Sequence, residues 1–479
     1  MKNFLKFLIS HSKSYGFIFP SNEIYGGINA IYDYGQYGIE LKNNIKEFWW
    51  KSMTQLNENI VGIDSSILTH SNVLKSSGHI DEFKELLVYN KNSKKKYQVH
   101  LLIENHIKKF FKNDNEQINK ILIRLNEYFK KKDTLNIINL INELNIHDPI
   151  SGNKKDKIWT NIHFMNMMFE IKNSKNLFLR PETAQGIFCN FINVQKSSRM
   201  KIPFGIAQIG KSFRNEIIAR QFLFRLREFE QMEMQFFINP KEEKKWYKYW
   251  KNIRLKWHNS LNLGKNKYRL IDHKNLAHYA SLGVDIEFNY PFGFRELEGI
   301  HSRRDFDLKK HELFTNKKFI INNNKKVKYT PYVIETSLGL DRLFMAILSS
   351  SLKEEKLDNG KKRTILKIPP CLSPVKAAIL PLVKKDGIPD IANKIFHNEK
   401  INHNIIYDYK DSIGKLYRRQ DAIGTPLCFT VDYKTIENNT VTIRYRDNMN
   451  QERIHINEIS NKIELETGLK NILKKLLNN

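Results

Sequence analysis

Cysteine is scarce in this 479-residue sequence: Cys189, Cys371 and Cys428 lie far apart, and no Cys-x-x-Cys pair occurs. This scarcity excludes a disulfide-rich scaffold and favours a reducing compartment. The first residues, MKNFLKFLISHSKSYG, lack the continuous apolar segment of a signal peptide, because Lys6 and His11 interrupt them. No apolar run approaches the ~18 residues of a membrane-spanning helix. We therefore expect a cytoplasmic protein with no membrane association.

The sequence also lacks the glycine-rich motifs that most often bind nucleotides. It contains neither GxxxxGK[ST] nor GxGxxG, so neither a P-loop nor a Rossmann phosphate turn is indicated. No HExxH motif or paired Cys/His group indicates a catalytic zinc. If the protein binds a nucleotide, side chains must hold the phosphates. Arginine is suited to this, because its guanidinium donates two hydrogen bonds and stays charged.

Positive charge is in excess, since 79 lysines and arginines outnumber 51 acidic residues and give a net charge of +28. Such a charge favours a polyanionic partner such as RNA. The chain is also saturated with lysine, asparagine and isoleucine, as expected from an AT-rich genome, so compositional drift explains much of the lysine equally well. The charge therefore supports a nucleic-acid partner without identifying it.

Composition and periodicity divide the chain into a large and a small domain. We expect an antiparallel sheet domain over residues 1–360, interrupted by a Lys- and Asn-rich, partly helical subdomain at about 64–158. A charged segment that ends in two prolines predicts a linker over 361–369. Strands and helices alternate over 370–479, which is typical of a small α/β domain.

The segment FRNEIIARQFLFRLREFEQMEMQFF, residues 213–237, carries unusual polar residues for a strand. Its second half has a mixed aromatic and polar face and an apolar face: Phe229, Gln231, Glu233 and Gln235 against Met232, Met234 and Phe236. An arginine such as Arg214 can clamp a phosphate, an aromatic ring can stack on a base, and a carboxylate can hold an ammonium. Surface ion pairs would explain the same charges. Because uncompensated charge among core residues is costly, the pattern favours a functional site.

Three further segments carry charge near predicted turns: RPETAQGIF, GFRELEGIHSRRDFDL and PYVIETSLGLDRLFMAIL. In the last, Glu335 and Ser337 share a strand face, and Arg342 lies in the first turn of the helix after Gly339. Each segment alone is typical of an ordinary salt-bridged turn.

Together the segments resemble a known family. FRNE followed by FRLREFEQMEM resembles motif 2 of class II aminoacyl-tRNA synthetases, and SLGLDR resembles motif 3. More narrowly, FIFPSNEIYGG, YDYG, LKNNIKEFWW, LRPETAQGIF, GKSFRNEI, REFEQMEM, ELEGIHSRRDFDL and GTPLCFTVD are similar to glycyl-tRNA synthetases of the homodimeric type, in collinear order from residue 11 to about 455. The resemblance implies an α+β fold, in which helices flank a class II antiparallel sheet and a C-terminal α/β domain binds the anticodon.

The resemblance also implies a two-step reaction. Glycine and ATP give glycyl-adenylate and pyrophosphate, and the 3′-terminal adenosine of tRNA-Gly then takes the glycyl group for protein synthesis. Mg²⁺ is expected with ATP, and the chain is expected to form a homodimer. No editing domain is needed, because no smaller amino acid competes with glycine. We assign no general base, and we expect His301 to be structural.

The family's functional residues carry over to this chain by position. Arg214 would bind the α-phosphate and Arg342 the γ-phosphate as catalytic residues, while Glu216 would meet the adenine amino group. The implied ATP contacts are Arg214, Asn215, Glu216, Phe224, Arg225, Leu226, Arg227, Glu228, Phe229, Glu296, Leu297, Gly339, Leu340, Asp341 and Arg342. The implied glycine contacts are Gln98, Glu182, Phe229, Glu230, Gln231, Met232, Glu233, Arg303, Glu335, Thr336, Ser337, Leu338 and Gly339.

Some positions depart from the family pattern. Asn90 and Ser93 stand where relatives often have a Cys-x-x-Cys pair, so we expect no zinc and no other metal held by the protein. Gln98 replaces a usual arginine and Gln235 replaces a usual glutamate, which leaves the roles of both open.

Two rival functions remain. One is another class II synthetase or a synthetase-like amide ligase, and the other is an inactive paralogue that binds RNA as a regulator. A lesser hypothesis places anticodon reading in residues 370–479, near KLYRRQDAIGTP, with Arg418 or Arg419 touching RNA.

Overall fold

The computed structural model describes residues 2–111, 114–149, 158–160, 162–174, 176–216, 221–322, 328–357, 360 and 362–478. The chain divides into two compact units, here called the first unit (Met1–Ile67, Pro181–Phe213 and Ala219–Asn479) and the second unit (Leu68–Arg180 and Arg214–Ile218). Within the described ranges, no helix combines the length and the apolar character needed to cross a membrane.

The first unit opens with two helices and three short strands: α1 (Lys2–Ser14), β1 (Ile18–Pro20), β2 (Tyr32–Tyr34), α2 (Gln36–Thr54) and β3 (Ile60–Gly62). The second unit contains the next elements along the chain: β4 (Leu68–His70), α3 (Ser71–Ser76), α4 (His79–Glu82), β5 (Lys84–Asn90), β6 (Lys95–Gln98), α5 (Val99–Phe110), α6 (Asn115–Lys131), α7 (Thr134–Glu143), β7 (His163–Asn166) and β8 (Leu177–Leu179).

The first unit then resumes with a segment that includes six strands of its larger sheet: α8 (Ala184–Ser197), β9 (Phe204–Phe213), β10 (Glu228–Ile238), α9 (Glu243–Ser260), β11 (Tyr268–Asp272), β12 (Leu282–Tyr290), β13 (Gly293–Arg304), α10 (Phe306–Thr315), β14 (Ile321–Asn322), β15 (Lys328–Tyr329), β16 (Tyr332–Gly339), α11 (Leu340–Ser351), β17 (Leu352–Lys356) and β18 (Lys362–Leu366). Its last elements are β19 (Ala377–Pro381), α12 (Ile388–Glu399), β20 (Ile405–Tyr407), α13 (Ile413–Ile423), β21 (Leu427–Val431), α14 (Tyr433–Asn438), β22 (Thr440–Tyr445), β23 (Gln451–His455), α15 (Ile459–Thr467) and α16 (Lys470–Leu477).

The larger sheet, here called the central sheet, has seven strands in the order β11-β12-β13-β16-β10-β9-β3. Neighbouring strands are antiparallel except at one edge, where β3 runs parallel to β9. Helices α2, α9 and α11 pack against strands of this sheet, and α8 packs against β9 and β10. The α+β architecture predicted from the sequence, an antiparallel sheet flanked by helices, is confirmed.

Strand β10 shows why the alternation in the sequence matters. Met232, Met234 and Phe236 are buried in the main hydrophobic core, where Phe236 packs 5.2 Å from the ring of Trp250 in α9. The opposite face begins with the half-buried ring of Phe229. It is then buried and polar at Gln231, Glu233 and Gln235, and it ends with Phe237, which joins the apolar cluster beneath α8. Burial of polar groups requires partners, so this face determines where a site can form.

A buried ion triad joins α9 to the central sheet. Arg254 and His258, one turn apart, both contact Glu298 of β13: Arg254 Nε lies 2.6 Å from Oε1, and His258 Nε2 lies 2.6 Å from Oε2. Glu298 is completely buried. Burial acts to raise the pKa of Glu298, but the two basic partners outweigh it and hold the pKa below its usual range.

The C-terminal residues of the first unit form a five-stranded sheet in the order β20-β19-β21-β22-β23. Strand β19 runs parallel to both of its neighbours, and β21, β22 and β23 are antiparallel, as expected for a small α/β domain. Asp421 is buried and accepts hydrogen bonds from Arg444 at 2.9 and 3.0 Å and from Arg363 at 3.2 Å. Arg363 lies in β18, so this network ties the predicted linker segment to the C-terminal sheet.

The second unit has its own apolar core, which is formed mainly by side chains of α5, α6 and α7 against β5. Strands β6, β5 and β7 form a three-stranded antiparallel sheet. Gln98 ends β6, is buried, and donates a hydrogen bond to Glu85 of β5.

Glu298→Ala should strongly destabilise the first unit, because it leaves the Arg254 guanidinium buried without its partner. We expect the free energy of unfolding to fall by about 3–5 kcal/mol. Glu287→Ala is the matched control: it breaks a more exposed strand pair with Arg269 and should cost about 0–1 kcal/mol. Urea unfolding followed by tryptophan fluorescence measures both, and similar losses in the two variants would contradict the prediction.

Candidate active site

One face of the central sheet carries polar side chains in two rows that run across the strands. In the first row, Glu233 of β10 lies opposite Ser337 of β16. In the second row, Gln235 lies opposite Glu335 of β16, which lies opposite His301 of β13. Residues two apart along a strand share a face, so the two rows adjoin. These side chains, on the three neighbouring strands β10, β16 and β13, form what is here called the polar face.

Gln235 bridges the two glutamates of the polar face. Its Nε2 donates to Oε1 of Glu233 at 2.9 Å and to Oε1 of Glu335 at 2.8 Å. Glu233 is 1% exposed, Glu335 is 4% exposed and Gln235 is completely buried. A single amide thus donates a hydrogen bond to each of two carboxyl groups that are almost completely buried.

Arg303 supplies the positive charge of this region. Its Nη1 donates to Glu335 Oε1 at 3.1 Å, and its Nε and Nη2 donate to the two oxygens of Asp307 at 2.7 and 2.8 Å. The guanidinium lies 3.9 Å from the ring centroid of Tyr279 and is nearly completely buried. Two carboxylates therefore share one arginine.

Thr183, which precedes α8, closes one side of the polar face. Its backbone N–H donates to Gln231 Oε1 at 3.2 Å, and its hydroxyl donates to Glu233. Gln231 in turn donates through Nε2 to Ser337 Oγ at 3.3 Å and accepts from Ser212 Oγ at 2.9 Å. These bonds fix the orientation of the amide and the hydroxyl that border the two glutamates.

Glu182 lies beside Thr183 and is half-buried. Gln185 connects it to the arginine cluster, because its Nε2 donates to Glu182 Oε1 and to Asp307 Oδ1, both at 3.1 Å. His311 contacts the other end of the same amide, with Nε2 at 3.1 Å from Gln185 Oε1. Helix α8 thus holds a third glutamate close to the polar face.

The pKa values of the two buried glutamates are shifted in opposite directions. Burial raises the pKa of Glu233 well above its usual range, and the nearby charges of Glu335 and Glu182 raise it further. Burial also acts to raise the pKa of Glu335, but Arg303 and His301 outweigh it and hold that pKa below its usual range. Of the two, Glu335 is therefore the stronger acid, and Glu233 is the one that holds a proton more readily.

Arg342, in the first turn of α11, is held beside a second group of predicted residues. Its Nη1 donates to the backbone oxygen of Glu296 at 3.1 Å and lies 3.0 Å from Glu296 Oε2. Its guanidinium lies over the ring of Phe224, 4.4 Å from the centroid. Arg342 thus has a defined position while 27% of its side chain stays exposed to ligands.

Several predicted contact residues lie on the apolar face of the central sheet. Met232, Thr336 and Leu338 are completely buried with side chains directed away from Glu233 and Ser337. Glu230 pairs with Lys42 at 2.5 Å and Lys46 at 2.6 Å. At these four positions, only the backbone can contribute to a site on the polar face.

Asp341 also has a structural partner set. Its Oδ2 accepts from the Glu230 backbone N–H at 2.7 Å, and its Oδ1 accepts from the Tyr34 hydroxyl. The remaining predicted residues of the first unit are of two kinds. Leu226, Leu297 and Leu340 are buried in the core, and Arg225, Arg227, Glu228, Phe229 and Gly339 are half-buried or exposed.

Arg214, Asn215 and Glu216 belong to the second unit, as does Gln98. There the Arg214 guanidinium lies 5.5 Å from the ring centroid of Phe83, and the Asn215 N–H donates to the Met167 carbonyl at 2.7 Å. The predicted cooperation of these residues with Phe229 and Glu233 stays a prediction.

Sequence reasoning missed four residues that hold the polar face together: Thr183, Gln185, Tyr279 and Asp307. Asp307 stands in the quoted segment ELEGIHSRRDFDL, four residues after Arg303, and their ion pair joins the end of β13 to the start of α10. Thr183 and Gln185 follow Glu182 in RPETAQGIF, but nothing in their local pattern indicates a partner fifty residues or more along the chain.

The polar face has the chemistry of a receptor for a small ammonium group. Glu335 supplies a charge, Glu182 lies at its border, and the proton on Glu233 can leave when a cation takes its place. Ser337 and Gln231 add neutral hydrogen-bonding groups that fix orientation. Arg342 and Phe224 form a separate cationic and aromatic pair that suits a nucleotide.

Family models match two parts of the chain. The model described as "tRNA synthetase class II core domain (G, H, P, S and T)" matches residues 167–351, and the one described as "Anticodon binding domain" matches residues 376–466. Among solved structures, prolyl-tRNA synthetase from Cryptosporidium parvum complexed with L-proline and AMP aligns with a TM-score of 0.58 at 15% identity, covering 98% of this chain and 76% of that one. At that identity the likeness concerns the fold alone.

Whole-chain relatives are more informative. Proteins named glycine–tRNA ligase are 45% identical to this chain in Chlorobaculum tepidum, 44% in Borrelia hermsii and 43% in Staphylococcus haemolyticus. The alignments cover 94%, 96% and 94% of this chain, and 97%, 96% and 96% of the respective relatives. They therefore include the residues of the polar face.

Gln235→Glu tests the arrangement without a ligand. A carboxyl group between Glu233 and Glu335 would be buried beside a charge, so its pKa should be raised. Such a group binds its proton more tightly in the folded than in the unfolded state, so stability is lost as pH rises through the folded-state pKa. The midpoint of thermal unfolding should fall more steeply with rising pH than in the unmodified protein. Gln451→Glu, on exposed β23, is the charge-matched control, and parallel curves for all three proteins would contradict the prediction.

Proposed function

We infer that this chain, which belongs to the glycine–tRNA ligase family, is an ATP-dependent aminoacyl-tRNA ligase that attaches glycine to tRNA-Gly for protein synthesis. In the first step, the glycine carboxylate attacks the α-phosphorus of ATP, forming glycyl-adenylate and releasing pyrophosphate. In the second step, a ribose hydroxyl of the terminal adenosine attacks the glycyl carbonyl, and AMP leaves. Whole-length identity of 43–45% to proteins of that name supports this assignment.

We propose that the polar face binds glycine. The observation that carries this proposal is the pairing, through Gln235 and next to Arg303, of Glu233, whose pKa is raised, with Glu335, whose pKa is lowered. The ammonium would donate to these carboxyl groups and to Glu182, and the proton of Glu233 would be released. Ser337 and Gln231 would orient the ligand from the side of β16.

Selectivity for glycine follows from the crowding of that face. The groups around Glu233 already bond to one another, so an amino acid with a side chain would have to break those bonds to fit. Steric exclusion of larger amino acids is effective, and no smaller amino acid has to be rejected. An editing domain is therefore unnecessary for this substrate.

ATP would lie beside Arg342, Glu296 and Phe224. Arg342 has its guanidinium partly exposed and anchored on Glu296, so it can hold the γ-phosphate, while Phe229 offers a half-buried ring for the adenine. Arg214 and Glu216 would contact the α-phosphate and the adenine amino group. Mg²⁺ would arrive with ATP as part of the substrate, and the carboxylate of Glu296 offers oxygen atoms of the kind it prefers. Catalysis would rest on positioning and electrostatics, without a general base.

The remaining assignments belong to the same proposal. Residues 1–360 would form the catalytic domain with its insertion at about 64–158, and residues 361–369 would link it to an anticodon-binding domain over 370–479. The match of an anticodon-binding model to residues 376–466 supports the last part. Arg419 is already paired with Asp408 and Asp411, so RNA contact there would compete with those acids. A homodimer completes the proposal, and its placement in the cytoplasm is supported by three free cysteines, which fit a reducing compartment.

Exchange of pyrophosphate into ATP separates this function from its rivals. Glycine should support exchange far better than alanine, serine or proline. Arg342→Ala should lower glycine-dependent exchange by about 10²–10³-fold, because a preorganised charge at the phosphates is lost. Arg124→Ala, in an exposed helix pair with Glu143, is the control and should keep full exchange. Preference for another amino acid would identify a different ligase, and undetectable exchange would identify an inactive paralogue.

Glycine affinity should increase with pH. Glu233 has a raised pKa in the free protein, and the ammonium of glycine favours its charged form, so binding releases a proton. The dissociation constant for glycine should therefore fall as pH rises towards the pKa of Glu233, and then level off. In Glu233→Gln, binding should be weaker and its pH dependence flatter. Calorimetric titration with glycine over a series of pH values measures this, and a dissociation constant that rises with pH would contradict it.

A further inference from the structure

Two histidines and an aspartate lie next to the polar face, on the same side of the central sheet. His273 follows β11, Asp285 lies in β12 and His301 lies in β13. One ligand atom from each lies within 4.8 Å of the other two. His273 Nε2 lies 2.9 Å from Asp285 Oδ1, and the imidazole centroids of the two histidines are 5.1 Å apart. The three side chains therefore converge from neighbouring strands.

Two glycines make this convergence possible. Gly283 lies opposite His301 in the strand register, and the His273 N–H donates to the Gly283 carbonyl at 2.9 Å. A Cβ on Gly283 would lie 3.0 Å from both His273 Nδ1 and His301 Cδ2. A Cβ on Gly299, opposite Asp285, would lie 2.9 Å from His301 Cε1 and 3.6 Å from Asp285 Oδ1. A side chain at either glycine would occupy the space over which the imidazoles and the carboxylate meet.

The same contacts fix the direction of the His301 ring. Nε2 lies between Cε1 and Cδ2 in an imidazole. Because Cε1 faces Gly299 and Cδ2 faces Gly283, Nε2 points across the diagonal of the register towards Asp285. On the other side of the ring, Nδ1 lies 3.3 Å from Glu335 Oε2. A histidine with a carboxylate behind one nitrogen and a second carboxylate on the side of the other has the orientation of a metal ligand.

We propose that His273, Asp285 and His301 bind a divalent transition-metal ion of the Zn²⁺ class. Two imidazoles and one carboxylate suit Zn²⁺ and related ions, whereas Mg²⁺ prefers oxygen ligands alone. Side-chain exposures of 25% for His273 and 20% for Asp285 leave access for an ion and for water to complete its coordination. This site is distinct from the missing Cys-x-x-Cys pair, and it does not depend on the proposed reaction.

The ion would also affect the polar face. With Nε2 bound to metal, the proton of the His301 ring would lie on Nδ1, 3.3 Å from Glu335 Oε2. The metal would therefore fix the orientation of a glutamate that we assign to glycine binding. His301 is then a positioning residue for Glu335 as well as a ligand.

The test uses the full-length protein after chelator treatment, with Co²⁺ as a spectroscopic substitute and Zn²⁺ as a competitor. We expect one Co²⁺ per chain, visible d–d absorption without a thiolate charge-transfer band, and displacement by Zn²⁺. His273→Ala and Asp285→Asn should each weaken binding by about tenfold or more. His397→Ala, which removes an exposed imidazole from α12, should bind as the unmodified protein does.

Circular dichroism and metal-free unfolding temperature establish that each variant is folded. Binding that is equal in all four proteins would overturn the proposal, since the ion would then lie elsewhere. A thiolate band would assign it to a cysteine such as exposed Cys189 and would overturn it too. Absence of saturable binding below about 1 mM would show that the three side chains form only a hydrogen-bonded network.

Discussion

Two buried glutamates, of which one is paired with an arginine, constrain the whole polar face. Glu233 and Glu335 cannot both be charged when water is excluded, because desolvation and mutual repulsion add together. Arg303 stabilises the charge of Glu335, Gln235 donates to both groups, and the pKa of Glu233 is raised well above its usual range. The neighbouring segments fit this arrangement: the residues before α8 include Thr183 and Glu182, and α10 contributes Asp307. A small ammonium ligand would stabilise the charged form of Glu233, because it supplies the positive partner that Glu335 has in Arg303.

The sheet register explains how one face serves more than one purpose. From β10 through β16 to β13, side chains opposite one another pass from Gln235 to Glu335 to His301. Beyond β13, Gly283 continues the row and opens space for the proposed metal ligands. His301 lies between the two regions and contacts Glu335, so ligand binding in one region can influence the other. On the opposite face, Met232 and Met234 anchor the same strands in the core. The strands that carry the polar face are thus held in place by core side chains on the opposite face of the sheet.

Local pattern predicted the character of the central sheet but not its pairing. Alternation along β10 separated Glu233 and Gln235 from Met232 and Met234, and the antiparallel α+β fold followed from strand-like segments and family motifs. The position of β16 between β13 and β10 depends on contacts between residues far apart in the chain, which periodicity does not encode. Motif position also does not distinguish faces: Glu230 stands beside the predicted ligands, yet its carboxylate pairs with Lys42 and Lys46. The partners of the buried carboxyl groups became evident only in three dimensions.

The central claim is that the glycine ammonium replaces the proton of Glu233. Infrared difference spectroscopy on adding glycine to the ligand-free protein tests it most directly, because a protonated carboxyl group has its own carbonyl stretching band. The account predicts that this band is lost and carboxylate bands grow in the unmodified protein, and that Glu233→Gln shows no such loss. A spectrum in which glycine binds to the unmodified protein without loss of the carboxyl band would contradict the claim.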